Sequence, residues 1–191
     1  VHTSSQMNPS QTSPGAQISV AELEVPASAR KEYQKAEDEL SQSHTEAAVT
    51  HLLQALKAAP EFPTALNTLG TICYQTGKFK EAEEYFRQAL DLDPDLYPPL
   101  VNLGGALLSL GQFEQALEVN LRARERRPSD PLARSQLGLS YEGLGEWDKA
   151  ITSLQVAKRL EPGHFSNPQL SLARLLLKQG SLEASVKEYE E

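Results

Sequence analysis

One cysteine, one tryptophan, one methionine and few aromatic residues of any kind mark this 191-residue chain. With Cys73 alone, no disulfide can form within the chain, and the redox compartment is not written in its cysteines. Aromatic residues make up only 6% while hydrophobic residues reach 39%, so Leu and Ala carry the apolar content. Sparse β-branched and aromatic residues favour helices over sheets. An excess of positive charge is also lacking, the formal net charge being -8. That balance speaks against nucleic acid, whose phosphates reward basic surfaces, and against an anionic membrane surface. No apolar run approaches the ~18 residues of a spanning helix. The chain starts at Val1 without a signal-peptide pattern. It is read as a fragment of a longer product, soluble and either cytoplasmic or exported.

What the chain does contain is periodicity. Pro60, Pro94, Pro128 and Pro162 follow one another at steps of 34 residues. The same step relates Ala48, Ala82, Ala116 and Ala150, and again Ala55, Ala89, Ala123 and Ala157. Glycine pairs mark the middle units: Gly70 with Gly77, Gly104 with Gly111, Gly138 with Gly145. Each residue type has a mechanical use. Gly70, in the pair Leu69-Gly70, falls mid-helix, where a missing side chain lets a second helix approach closely. Gly77 falls where that first helix ends and the chain must turn left-handed. Alanines seven apart share one face of the second helix and permit tight contact, and proline closes the unit because it cannot continue a helix. A repeat of this length is the mark of stacked helix–turn–helix units.

The stretch TALNTLGTICYQTGKFKEAEEYFRQALDLDP, residues 64–94, resembles the tetratricopeptide repeat (TPR) family. It shows that family's succession of Leu-Gly, helix-ending Gly, Ala, an aromatic, Ala and Pro. The resemblance is strongest over 63–162; in the first unit Glu32 stands where a large apolar residue is usual. It implies an all-α fold, a right-handed α-solenoid of about five helix–turn–helix repeats: 26–62, 63–96, 97–130, 131–165 and 166–191, the last incomplete. Helix pairs are expected at 26–42 and 45–58, 63–76 and 79–92, 97–110 and 113–127, 131–144 and 147–160, and 167–179 and 182–191. Residues 1–25 are expected to be a flexible linker, rich in Ser, Gln, Thr and Pro over 1–17, with the apolar stretch 18–25 extended against the first repeat.

Residue types that could carry chemistry do not assemble into a site. His44 and His51 lie seven apart without an acidic or cysteine partner to complete a metal set, so they read as surface histidines. Asp91-Leu92-Asp93-Pro94-Asp95 lacks the glycine and terminal glutamate of a calcium loop. Cys73 has no base beside it in the pattern and reads as a small buried hydrophobe. No Gly-rich phosphate loop is present. The chain is therefore expected to be no enzyme and to need no cofactor or metal. Arg122, Arg124, Arg126, Arg127 and Arg134 form one basic region, readable as favourable charge at a helix C-terminus or as a dock for an acidic partner. Asn120, in the slot of Leu52, Phe86 and Leu154, is expected to be hydrogen-bonded or near the surface.

Function is then expected to lie in the groove that first helices line in such an array. Counting Pro63 as position one, positions two, five, nine and twelve face it, with six and thirteen at the margins. The candidate groove residues are Asn67, Thr71, Tyr74, Val101, Asn102, Leu108, Gln136, Leu139, Glu142 and Arg174. Amides can pair with a peptide backbone and apolar side chains can receive its residues. The alternative for the leucines is packing between adjacent repeats. The lysine-rich clamp by which some TPR proteins grip acidic chaperone tails is missing, since Tyr33 and Glu37 stand at those positions. The expected role is a scaffold for a protein or peptide ligand. The alternative is an assembly or regulatory arm of a larger protein, self-associating through an apolar C-terminal end formed by Leu175, Leu182, Val186 and Tyr189.

Overall fold

In the computed structural model, residues 24–164 and 166–190 are described. They form ten helices and no strand. These are α1 Ala27–Ser41, α2 Thr45–Ala58, α3 Pro63–Gln75, α4 Phe79–Leu92, α5 Tyr97–Ser109, α6 Phe113–Arg126, α7 Pro131–Gly143, α8 Trp147–Leu160, α9 Pro168–Lys178 and α10 Leu182–Glu190. Each agrees with its sequence expectation to within two residues. Proline opens α3, α5, α7 and α9 within the first two positions, where its missing N–H leaves no helical bond unmade.

The turn inside each pair has one geometry. Around Gly77 the amide of Lys78 bonds the carbonyl of Cys73 at 2.9 Å and the amide of Gly77 bonds that of Tyr74 at 3.1 Å. This double bond is a left-handed helix stop, and Gly77 sits at φ 77°. The first repeat builds the same turn without glycine: Ser43 takes φ 63°, and His44 N reaches Glu39 O at 2.9 Å.

Helices within a pair cross closely because one face of each is bare. A Cβ on Gly70 would stand 2.6 Å from the Phe86 ring, and one on Gly138 would stand 2.7 Å from Leu154. Ala48, Ala82, Ala116 and Ala150 are all fully buried. The core is a chain of linked clusters rather than a single centre. One gathers Leu52, Phe62 and Leu69, the next Phe86, Leu100, Leu103 and Leu107, the last Leu154, Leu172 and Leu175. Each helix packs most heavily on its partner within the repeat, and next on its other neighbour in sequence. The first helices of neighbouring repeats also touch one another: α3 with α5, α5 with α7, and α7 with α9. The second helices stand farther apart and meet through long side chains, Arg87 with Gln115 at 2.6 Å and Lys158 with Glu188 at 2.9 Å, and a cleft of about 410 Å³ opens between α4 and α6. Closer spacing on one side bends the stack and puts the first helices on its inside.

One expectation changes, that for Leu175. Val25 is buried in the first cluster, while 1–23 lie outside the described residues. Leu175 does not belong to an open end: it is fully buried against α8, because it repeats the inward position of Ile72 and Ala106. Leu182 and Val186 are exposed at 63% and 45%, and the Tyr189 side chain lies outside the described residues. Asn120 is fully buried and hydrogen-bonded, Nδ2 donating to Ser140 Oγ at 3.0 Å. Its Oδ1 is buried without a partner.

Candidate functional site

The inner face is a row of polar bridges between neighbouring first helices. Tyr33 Oη lies 3.2 Å from Thr68 Oγ1. Asn102 Nδ2 donates to Asn67 Oδ1 at 3.0 Å and to Thr71 Oγ1 at 3.3 Å. Tyr74 Oη lies 3.4 Å from Ser109 Oγ. All three bridges join residues 35 apart, one repeat plus one position. That offset is a legible sequence rule, and it singles out Thr68 and Ser109, which stand at the marginal positions six and thirteen and were not among the candidates.

At the centre, Gly105 has no side chain, and Gln136 and Tyr74 close over it. A Cβ there would meet Gln136 Nε2 at 3.0 Å and Tyr74 Oη at 3.7 Å. The Tyr74 ring is 37% exposed and rests on Phe79, centroids 5.3 Å apart. Leu108 and Leu139 are partly covered, and Leu108 also packs on the central cluster. Leu108 thus packs between repeats, and both leucines keep part of their surface open. Val101 is only 7% exposed and offers a ligand little surface.

At the far end, the Glu142 carboxylate receives Arg174 at 2.6 Å and Lys178 at 3.3 Å. Lys178 also stands 5.4 Å from the centroid of Trp147. Glu142 is thus a recessed holder of two cations rather than a free acidic contact.

Elsewhere the charged residues face one another. His51 and Lys35 both bond Glu32, each at 2.7 Å, and His44 bonds Glu39 at 2.9 Å. Both histidines thus have carboxylate partners that the linear pattern did not reveal, one of them 19 residues away. These bonds, Lys35 first, hold the Glu32 carboxyl below its ordinary range. No group of three or more potential metal ligands occurs among the described residues. Burial, with Glu81 beside it, pushes the Cys73 thiol up, the opposite of an activated nucleophile.

The arginine region is largely engaged within the fold. Arg126 pairs with Asp95, Arg122 bonds the Pro94 carbonyl, and Arg127 stacks 4.1 Å over the Tyr97 ring. Arg134 bonds the Pro128 carbonyl at 3.1 Å. These contacts knit the inter-repeat turns. Burial first, then Asp130, pushes the Tyr97 phenol above its usual range.

Tetratricopeptide repeat profiles match residues 33–97, 75–139 and 133–164, which together run through most of the described array. The chain belongs to the tetratricopeptide repeat family. No curated protein matches it. Among solved structures, MamA (41-end) from Desulfovibrio magneticus RS-1 superposes with a TM-score of 0.80 at 22% identity, covering 87% of this chain and 93% of that one. TTC0263, a thermophilic TPR protein of Thermus thermophilus, aligns at 27% identity and a TM-score of 0.66, covering 85% and 88%. Another MamA structure aligns at 24% identity and a TM-score of 0.73, covering 81% and 90%. These likenesses establish the TPR fold. No helix among the described residues is long and apolar enough to cross a membrane.

The TPR register explains where each candidate stands. Positions five and six of consecutive repeats meet as Asn67 and Asn102, position nine supplies Thr71, Gly105 and Leu139, and position twelve supplies Tyr74, Leu108 and Glu142. Across the groove an amide edge therefore faces an edge that is aromatic and aliphatic until it reaches Glu142.

Proposed function

We propose that this chain is a protein-interaction scaffold whose concave groove holds an extended or helical peptide segment. The asparagine bridge supports this reading most directly. Asn102 Nδ2 is occupied by Asn67 and Thr71, which locks both amides and leaves Asn67 Nδ2 and Asn102 Oδ1 to face the groove as one donor and one acceptor. That pairing suits the alternating groups of a peptide backbone. Tyr74, Leu108 and Leu139 supply the apolar wall, Thr71 and Gln136 the polar floor, with Arg174 at one end and Val101 beneath. A fixed side-chain array loses little conformational freedom on binding.

Selection of a random-peptide library displayed on phage tests the groove directly. Selected peptides are expected to bind wild type and to lose at least about tenfold in affinity, ~1.4 kcal/mol, on Leu139→Glu or Tyr74→Ala with unchanged thermal melting. Equal binding to both variants, or amide-exchange protection confined to the second helices, refutes the groove reading.

Exposure of Leu182 and Val186 favours a second reading, self-association through the α9–α10 face. In the inner repeats the matching residues Phe113 and Ile151 are partly covered by neighbours. Sedimentation of wild type against Leu182→Glu decides it: a concentration-independent monomer in both removes this reading.

A further inference from the structure

The fifth-repeat end of the groove differs in chemistry from its centre. Leu170, Arg174, Leu177 and Lys178 follow at i, i+4, i+7 and i+8 along α9 and so share one helical face. Leu170 and Leu177 are exposed at 50% and 52%. The Arg174 and Lys178 side chains are exposed at 52% and 53%, whereas the Glu142 carboxylate that holds them is only 11% exposed.

That difference in depth sets the sign of the surface. The neutralising charge lies underneath, and two cations stand above it, each with more than half its side chain in solvent. One carboxylate faces two cations, so the cluster carries a formal charge of +1. The whole chain carries a net charge of -8, which makes this a local reversal of sign. Along the groove positions the charged residues are Arg30, Glu37, Glu142, Arg174 and Lys178. Cations exceed carboxylates there, and the excess lies in repeat five. The repeats between, two and three, contribute no charge at these positions.

We infer that this end selects the class of partner: an acidic segment carrying apolar anchors, which lays leucine-sized side chains on Leu170 and Leu177 and an aspartate or glutamate against Arg174 and Lys178. The inference rests on the groove reading and adds direction to it. The acidic part of the segment lies at repeat five, and its uncharged part runs over Leu139, Leu108 and Tyr74 toward repeat two. A helix is read here by anchors spaced three or four residues apart, and complementary charge fixes register and approach more than raw affinity. Glu142 serves as a positioning residue, restraining the two cations and aiming them at the same point.

The same phage-displayed selection supplies the probe. The recovered peptides are expected to be enriched in Asp or Glu adjoining Leu, Ile or Phe. A synthetic peptide of the leading sequence should weaken by about tenfold on the double variant Arg174→Gln/Lys178→Gln, and its binding to wild type should weaken as salt rises more than its binding to the variant does. Arg174→Glu/Lys178→Glu should bind a peptide with its acidic residues changed to Lys better than the original, with helix content unaltered by circular dichroism. The swap keeps the test valid even if the neutral variant is less stable. Acid-poor peptides that bind both double variants like wild type overturn this inference and leave the groove reading standing. Recovery of no groove-binding peptide overturns both.

Discussion

Replacing Asn120 by leucine should stabilise the protein, and the amount follows from what surrounds the amide. Asn120 is fully buried between Gly104 and Ser140. It makes one hydrogen bond, to Ser140 Oγ, and its Oδ1 faces Gly104 with no partner. Turning the amide over would exchange the two atoms and still leave one of them unsatisfied. A buried unsatisfied acceptor costs ~1–3 kcal/mol, and the single neutral hydrogen bond gives back ~1 kcal/mol. Ser140 Oγ still donates to the Gln136 carbonyl at 2.9 Å after the change, so no new orphan is created. Leucine also fits: one repeat on, Leu154 lies against Gly138 in the matching place, and Leu52 fills it in the first repeat. The net expectation is ~1 kcal/mol of added stability, a melting shift of ~2–4 °C for a chain of this size. Thermal melts followed by circular dichroism and urea titration measure it, with Asn120→Ala expected to lose stability through the void it leaves. A leucine variant that melts at or below wild type refutes the reasoning, and would mean that the amide is better satisfied than its geometry shows.

Gly138→Ala should destabilise by ~1–3 kcal/mol despite alanine's better helix propensity, since its Cβ would meet Leu154 at 2.7 Å and the Ala150 carbonyl at 3.2 Å; unchanged urea midpoints would contradict this. Ser43→Gly should add ~1 kcal/mol, because φ 63° suits glycine better than serine, and a lower melting temperature would count against the turn assignment. Glu32 has a depressed pKa through Lys35 and His51, so its stabilising contribution is full above the ordinary value of 4.5 and disappears as pH falls through the lowered folded value. Amide exchange in α1 and α2 should therefore accelerate below that range in wild type and lose this pH dependence in Glu32→Gln; identical profiles would refute it.

The helices were legible in the chain because repetition averages out local ambiguity. Gly77, Ala82, Ala89 and Pro94 each recur at a 34-residue step, and a chance signal at one copy does not recur at the next. The site was less legible. Register placed Asn67, Thr71, Tyr74, Asn102 and Leu139 on the first helices, but it could not tell an open residue from a buried one, as Val101 is. Nor could it show that Glu142, an acid in sequence, acts as a recessed seat for Arg174 and Lys178.

Sequence alone thus determined the helical repeat and its joints, since a period of residue types is a local property that each unit states for itself. Tertiary structure decided which polar groups meet. The pairings of Asn67 with Asn102, Glu32 with His51, Asn120 with Ser140 and Glu142 with Arg174 all span 19 to 35 residues. Such contacts depend on how far each helix is rotated against the next, and that angle is set by side-chain packing such as Phe86 on Gly70 and Leu154 on Gly138. No single repeat contains it.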